Sequence, residues 1–137
     1  MDWTLELVTV PVSDIDRAKA FYIDQLGFNL DVDHRAGESF RVVQATPHGS
    51  ACSIAFGTMA QDSAGSMKGL HLVVADIEAA RAELVERKIE VSELFHFTAG
   101  GQTPGPDPQR AKYNTFCSFK DPDGNVWLVQ EVNRSKT

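Results

Sequence analysis

His71 and Gln130 are the side chains of this chain whose type and setting best suit them to handle a small molecule. His71 interrupts the apolar run Leu70-His71-Leu72-Val73-Val74, and an imidazole there can accept a hydrogen bond, donate one or act as a base. Gln130 ends the run Val126-Trp127-Leu128-Val129-Gln130 and offers both a donor and an acceptor. The plain alternative for His71 is a satisfied core histidine. His96 follows the stretch from Val91 and precedes a glycine-rich insert; it could swing toward His71 as an acid–base partner or remain an exposed strand-end histidine. Arg110 and Tyr113 flank that insert and could close over an acidic or aromatic ligand as a lid. Arg41 is either a further ligand contact or a solvated strand residue. Trp127, Phe116 and Phe119 alternate in the last two apolar runs, where aromatic residues usually build core. Cys52 and Cys117 lack metal-knuckle or redox spacing and read as two reduced thiols.

An internal repeat indicates the elements that position these groups. Val12-Ser13-Asp14-Ile15-Asp16-Arg17-Ala18-Lys19-Ala20 matches Val74-Ala75-Asp76-Ile77-Glu78-Ala79-Ala80-Arg81-Ala82 position for position. Each copy follows a Val- and Leu-rich run that reads as a buried strand. The Asp that follows is a good N-cap, because its carboxylate accepts the free N–H groups of a first helical turn. Ile15, Ala18, Tyr22 and Leu26 then share one helical stripe, as do Ile77, Ala80 and Leu84. Gly27 and the Lys88-Ile89 pair end the two helices. Thr46-Pro47-His48-Gly49 and Asp121-Pro122-Asp123-Gly124 are turns between β-rich runs in the two halves. Residues 28–34 and 89–96 supply one further strand each. The order is βαβββ twice, an α+β chain: a first module over residues 1–57, a polar linker over 58–68 and a second module over 69–134. The insert Thr98–Lys112, with Gly100-Gly101 and three prolines, is predicted to be a mobile loop without regular structure.

Alternation divides the strands into faces. Val8, Val10 and Val12, like Leu70, Leu72 and Val74, are uniformly apolar and belong under the helices. Leu7, Thr9 and Pro11, and Gly69, His71 and Val73, take the other side. Thr9 and His71 are thus equivalent, and with Ala55 and Gln130 they form a set able to hydrogen-bond a ligand, Thr9 through its hydroxyl. Glu131 points away from Gln130.

This duplicated pattern, with V-x-D-I-x-x-A after the first strand, Phe21-Tyr22 in the helix, Leu26-Gly27-Phe28 and the Asp121–Asn125 turn, resembles the vicinal-oxygen-chelate superfamily of glyoxalases, bleomycin-resistance proteins and dioxygenases. The resemblance spans essentially the whole chain. It implies two curved mixed sheets around a cleft, and in most members four inward residues gripping a divalent metal. Five residues before the Val of each V-x-D, and four after each turn Gly, those positions fall on Leu7, Gly69, Ser53 and Leu128. Hydrocarbon, hydrogen and a lone hydroxyl do not hold a divalent cation. The expectation is therefore a protein that binds a small organic molecule with no cofactor, with or without catalysis through His71. The alternative is a metal-dependent lyase, isomerase or dioxygenase with relocated ligands His71, His96 and Gln130. Family members are often homodimers, and a dimer is expected here.

A net charge of −6 disfavours nucleic acid as a partner. The sequence has no run of roughly 20 apolar residues to span a membrane. The opening MDWTLELVTV has no basic n-region, so a cytoplasmic location is expected.

Overall fold

A computed structural model describes residues 1–132 and divides the chain into two compact units. The end of the expected second module, residues 133 and 134, lies outside the described residues.

The first unit comprises Met1–Met67 together with Asp121–Asn125. Its elements are β1 (Leu7–Thr9), α1 (Ile15–Lys19), β2 (Asn29–Ala36), β3 (Phe40–Thr46) and β4 (Ser53–Gly57). They form one sheet in the order β1-β4-β3-β2, with β1 parallel to β4 and the other pairs antiparallel. Asp14 caps α1, its carboxylate accepting from the Arg17 N–H at 3.1 Å. The helix then widens into a π-helical stretch, Ala20–Gln25, where the Leu26 N–H bonds to the Phe21 carbonyl at 2.7 Å. That extra residue per turn changes the expected stripe. Ala18, Phe21 and Tyr22 are buried while Ile15 and Leu26 stay half-buried, and Tyr22 packs with Phe21, Phe28 and Phe56.

The Asp121–Asn125 segment, assigned from sequence to the second module, completes this first unit. Asn125 is fully buried: its amide donates to the Pro11 carbonyl at 2.8 Å and to Asp121 at 2.7 Å, and accepts from the Met67 N–H at 3.0 Å. Asp121 also receives the Tyr22 hydroxyl at 2.7 Å, and Asp123 receives the N–H and hydroxyl of Ser13. The segment expected as a linker is likewise tied down, since Gly65 N–H bonds to the Pro11 carbonyl and Gln61 to that of Ser13.

The second unit comprises Lys68–Lys120 and the chain from Val126. It contains β5 (Lys68–Val74), α2 (Ile77–Glu86), β6 (Phe95–Thr98), β7 (Gly101–Pro104), β8 (Thr115–Lys120) and β9 (Val126–Glu131). The sheet order is β5-β9-β8-β6-β7, with β5 parallel to β9. Asp76 caps α2 as Asp14 caps α1, and Lys88 ends it in the left-handed region at φ 65°. The strand expected over 89–96 starts late, at Phe95, after a single bridge from Val91 to Phe119.

The insert is a correction to the sequence reading. Its first part is β7, folded back on β6 through a two-residue turn at Ala99-Gly100, with Gly101 at φ 104°. Its remainder is organised by the buried Asp107. That carboxylate accepts from the N–H groups of Gln109 and Ala111 and from the Asn114 amide, and the Asp107 N–H donates to the Thr115 hydroxyl. These donors, the Gln109 N–H foremost, hold the Asp107 carboxyl below its ordinary range.

The predicted faces hold along both first strands, except that Pro11, beyond the end of β1, is buried. Val8, Val10, Leu70, Leu72 and Val74 are less exposed than Leu7, Thr9, Gly69, His71 and Val73. In the second unit Cys117, Phe119, Trp127, Val129 and Glu131 lie on the α2 side, with the Phe119 and Trp127 rings stacked 6.0 Å apart.

Candidate functional site

Register places a set of side chains together on the side of the second sheet away from α2. His71 is beside Leu128, and Val73 is beside Gln130. Across β9, Gln130 faces Phe116 and Leu128 faces Ser118; across β8, Phe116 faces Phe95. Residues that pair across a sheet point to the same side, so this face carries His71, Leu128, Gln130, Phe116, Ser118, Phe95 and Phe97.

Its polar part is a connected chain. The Gln130 amide nitrogen donates to the Tyr113 carbonyl at 3.0 Å, and its oxygen stands 3.3 Å from Nδ1 of His71, whose side chain is exposed. Tyr113 itself has φ 67°, a costly left-handed conformation for a residue with a Cβ, and its N–H is held by the Glu131 carbonyl at 3.0 Å. Tyr113 thus contributes its backbone to the site, and its side chain is half-exposed.

The apolar part is a cluster of three rings. Phe95 stacks on Phe116 with centroids 5.6 Å apart, and Phe97 meets Phe116 edge-on at 5.4 Å and Phe95 edge-on at 6.0 Å. Phe95 and Phe116 are nearly buried, whereas Phe97 is 47% exposed. Phe97 is fixed from both sides. β7 pairs with one edge of its backbone, and the Asn114 side chain bonds to its N–H at 3.1 Å and its carbonyl at 3.0 Å on the other. Beside the rings, a cavity of about 510 Å³ is lined by the apolar Leu94, Phe95, Pro104, Val126 and Leu128 and by the polar Ser92, Glu93, Gln102 and Ser118. It stops at Leu128, one strand short of His71.

The other residues singled out from sequence lie elsewhere. His96 pairs with Thr115 and so takes the α2 side of the sheet, where it is buried and its Nδ1–H donates to the Gly105 carbonyl at 2.7 Å. It cannot meet His71 through the sheet, so neither an acid–base pair nor a metal set of His71, His96 and Gln130 forms. Arg110 bonds to Glu131 at 3.1 Å and to Glu78, also on the α2 side; Glu131 in turn accepts the Ile77 N–H. Arg41 is buried in the first unit, where its guanidinium holds Asp33 at 2.9 Å and Asp16 at 2.6 Å. The hydrogen bonds from Arg41, and then from Lys19, hold the Asp33 carboxyl well below the usual carboxylate range. Arg41 and Arg110 are therefore ion-pair hubs on helix-bearing faces, not ligand contacts or a lid. Thr9 lies on the face of the first sheet away from α1, beside Ala55. There the Ser53 hydroxyl is 2.6 Å from that of Thr46, which bonds on to Asp31.

Sequence reasoning missed Phe95, Phe97 and Asn114. The alternation Phe95-His96-Phe97 was the available signal, since it puts two rings on one face and the histidine on the other.

Comparison with known proteins follows this architecture. Residues 4–129 match the sequence profile of the Glyoxalase/Bleomycin resistance protein/Dioxygenase superfamily. The chain belongs to this superfamily. Among solved structures of the superfamily type, it is 32% identical to TnmS3, an antibiotic binding protein from Streptomyces sp. CB03234, with 96% of this chain and 97% of that one covered at a TM-score of 0.71. A glyoxalase/bleomycin resistance protein from the same Streptomyces is also 32% identical, over 93% of this chain and all of that one, with a TM-score of 0.68. The protein YetH of Bacillus subtilis, whose function is uncharacterised, is 29% identical over 90% of this chain and 94% of its own length.

The superfamily's usual metal does not fit these residues. In the first unit, Leu7 and Ser53 are direct partners, as the repeat implies. In the second, Gly69 sits in a bulge at φ 87°, and β5 is slid by two residues against the repeat, so His71 rather than Gly69 stands beside Leu128. The donor set then gains one imidazole and no carboxylate, short of the three strong ligands a catalytic zinc needs. Among the described residues no three His, Cys, Asp or Glu side chains converge to hold a metal ion.

Proposed function

We propose that this protein binds a small organic molecule with a flat apolar body on the open face of its second sheet, without a metal. The observation that carries this reading is one face bearing an exposed, backbone-clamped ring at Phe97, a cavity beside the neighbouring Phe95 and the hydrogen-bonding pair His71 and Gln130. An apolar wall with few polar groups is the usual composition of such sites. The likeness to TnmS3, an antibiotic binding protein, points the same way. A thermal-shift screen of antibiotics and small aromatic compounds tests it. A ligand present at 100 times its dissociation constant raises stability by about 2.7 kcal/mol. Binding that survives Phe97→Ala unchanged, or stoichiometric retention of a metal on which binding depends, would overturn the reading. We also propose a homodimer, to which the exposed Trp3 and Leu5 would contribute apolar contact; light scattering in solution decides it.

A further inference from the structure

The hydrogen-bond chain behind His71 fixes which of its nitrogens a ligand meets. It starts at the Tyr113 carbonyl, which can only accept. The Gln130 atom 3.0 Å away must therefore be the amide nitrogen. That orientation turns the Gln130 oxygen toward His71, and an amide oxygen also only accepts. The Nδ1 atom of His71, 3.3 Å from it, must carry the proton. A neutral imidazole has one proton on nitrogen, so Nε2 of His71 presents a lone pair on an exposed side chain. His71 makes no other hydrogen bond among the described residues. The partner behind it is a neutral amide rather than a carboxylate. Nε2 is thereby placed as a hydrogen-bond acceptor.

We propose that the ligand of this face is an aromatic molecule bearing a hydroxyl of the phenol class, its O–H donated to Nε2 of His71 while its rings lie over Leu128 toward Phe116 and Phe97. This rests on the binding reading above and adds the functional group selected. From β5 to β8 is two strand spacings, roughly 10 Å, so a body of two or more rings is needed to touch both ends. Gln130 is a positioning residue: it meets the ligand through the tautomer it imposes.

Two measurements test this on the intact protein. Long-range proton–nitrogen spectra of the imidazoles, with the His71 signal assigned by its loss in His71→Ala, should show the Nδ1–H form in the free protein; an Nε2–H form overturns the proposal. Titration calorimetry then compares 2-naphthol with 2-methoxynaphthalene, in which a methyl group replaces the hydroxyl proton, and with naphthalene, which lacks the oxygen altogether. The expected result is a preference of about fivefold or more for the naphthol over both, abolished in His71→Ala and reduced in Gln130→Leu, where the tautomer is released. Equal binding of all three compounds overturns the choice of a hydroxyl but leaves the binding reading standing. Binding of none at millimolar concentration removes both proposals.

Discussion

Thr9 and His71 hold the same place in the two halves, and their surroundings have diverged. Around Thr9 the face away from the helix is mixed: Gln44 is beside Ala55 and Val32, and the hydroxyls of Ser53, next to Leu7, and of Thr46 lead to Asp31. Around His71 the same face carries three phenylalanines, Leu128 and an amide. The helix-bearing faces have meanwhile kept a common plan, each with an Asp-capped helix and an arginine–carboxylate hub, the buried Arg41 in one unit and the more exposed Arg110 in the other. A duplicated scaffold has thus held its structural face and released the other. The two-residue slide of β5 shows how that is possible. A slide of two preserves which side each residue takes, while changing which residue it stands beside.

The halves can be told apart most sharply at their turns. Asn125→Ala leaves the Met67 N–H without its partner, takes one of two donors from the Pro11 carbonyl and one from the buried Asp121 carboxylate, and should cost about 3 kcal/mol in urea unfolding. Ser50, the residue after the matching turn glycine of the first half, is exposed, and Ser50→Ala should change stability by less than about 1 kcal/mol. Equal losses would remove the distinction. For ligand binding, Phe97→Ala and His71→Ala should each weaken a bound aromatic compound about tenfold, or about 1.4 kcal/mol, with Thr9→Ala unchanged in calorimetry. A matching loss in Thr9→Ala would place the ligand on both sheets.

Acid provides a third contrast. The folded-state pKa of Asp33 lies below its ordinary 3.8, so its ion pairs stabilise the protein fully above that value and the benefit is lost as pH falls toward the folded pKa. Urea midpoints should therefore drop between about pH 4 and pH 2, and Asp33→Asn should flatten the drop by on the order of 1 kcal/mol. The smallest effect concerns Cys117, whose thiol burial pushes up to about 11. At pH 8 it should resist alkylation in the native protein and react on unfolding, as mass spectrometry would show.

Much of this was legible in the chain itself. The repeat and the alternation of Val8, Val10, Leu70, Leu72 and Val74 gave both helices, the faces and the side occupied by His71 and Gln130. Local signals failed where distant partners decide. The insert read as loop because Gly, Pro and Asp dominate it, yet Gly100-Gly101 serve a hairpin and Asp107 gathers backbone donors. Arg41 and Arg110 looked available because sequence does not show Asp33, Asp16, Glu78 and Glu131 converging on them. The π-helical widening at Ala20–Gln25 likewise has no signature in spacing, which is why Leu26 was assigned a burial that Phe21 holds.

The buried turn at Asp121–Asn125 has a consequence for synthesis. Chains emerge from the ribosome amino end first, and most domains fold as they emerge. Here the opening half must wait for the bonds that Asp121, Asp123 and Asn125 make to Pro11, Ser13, Tyr22 and Met67 until nearly the entire polypeptide has been made. A nascent chain arrested shortly after residue 67 would remain incompletely folded.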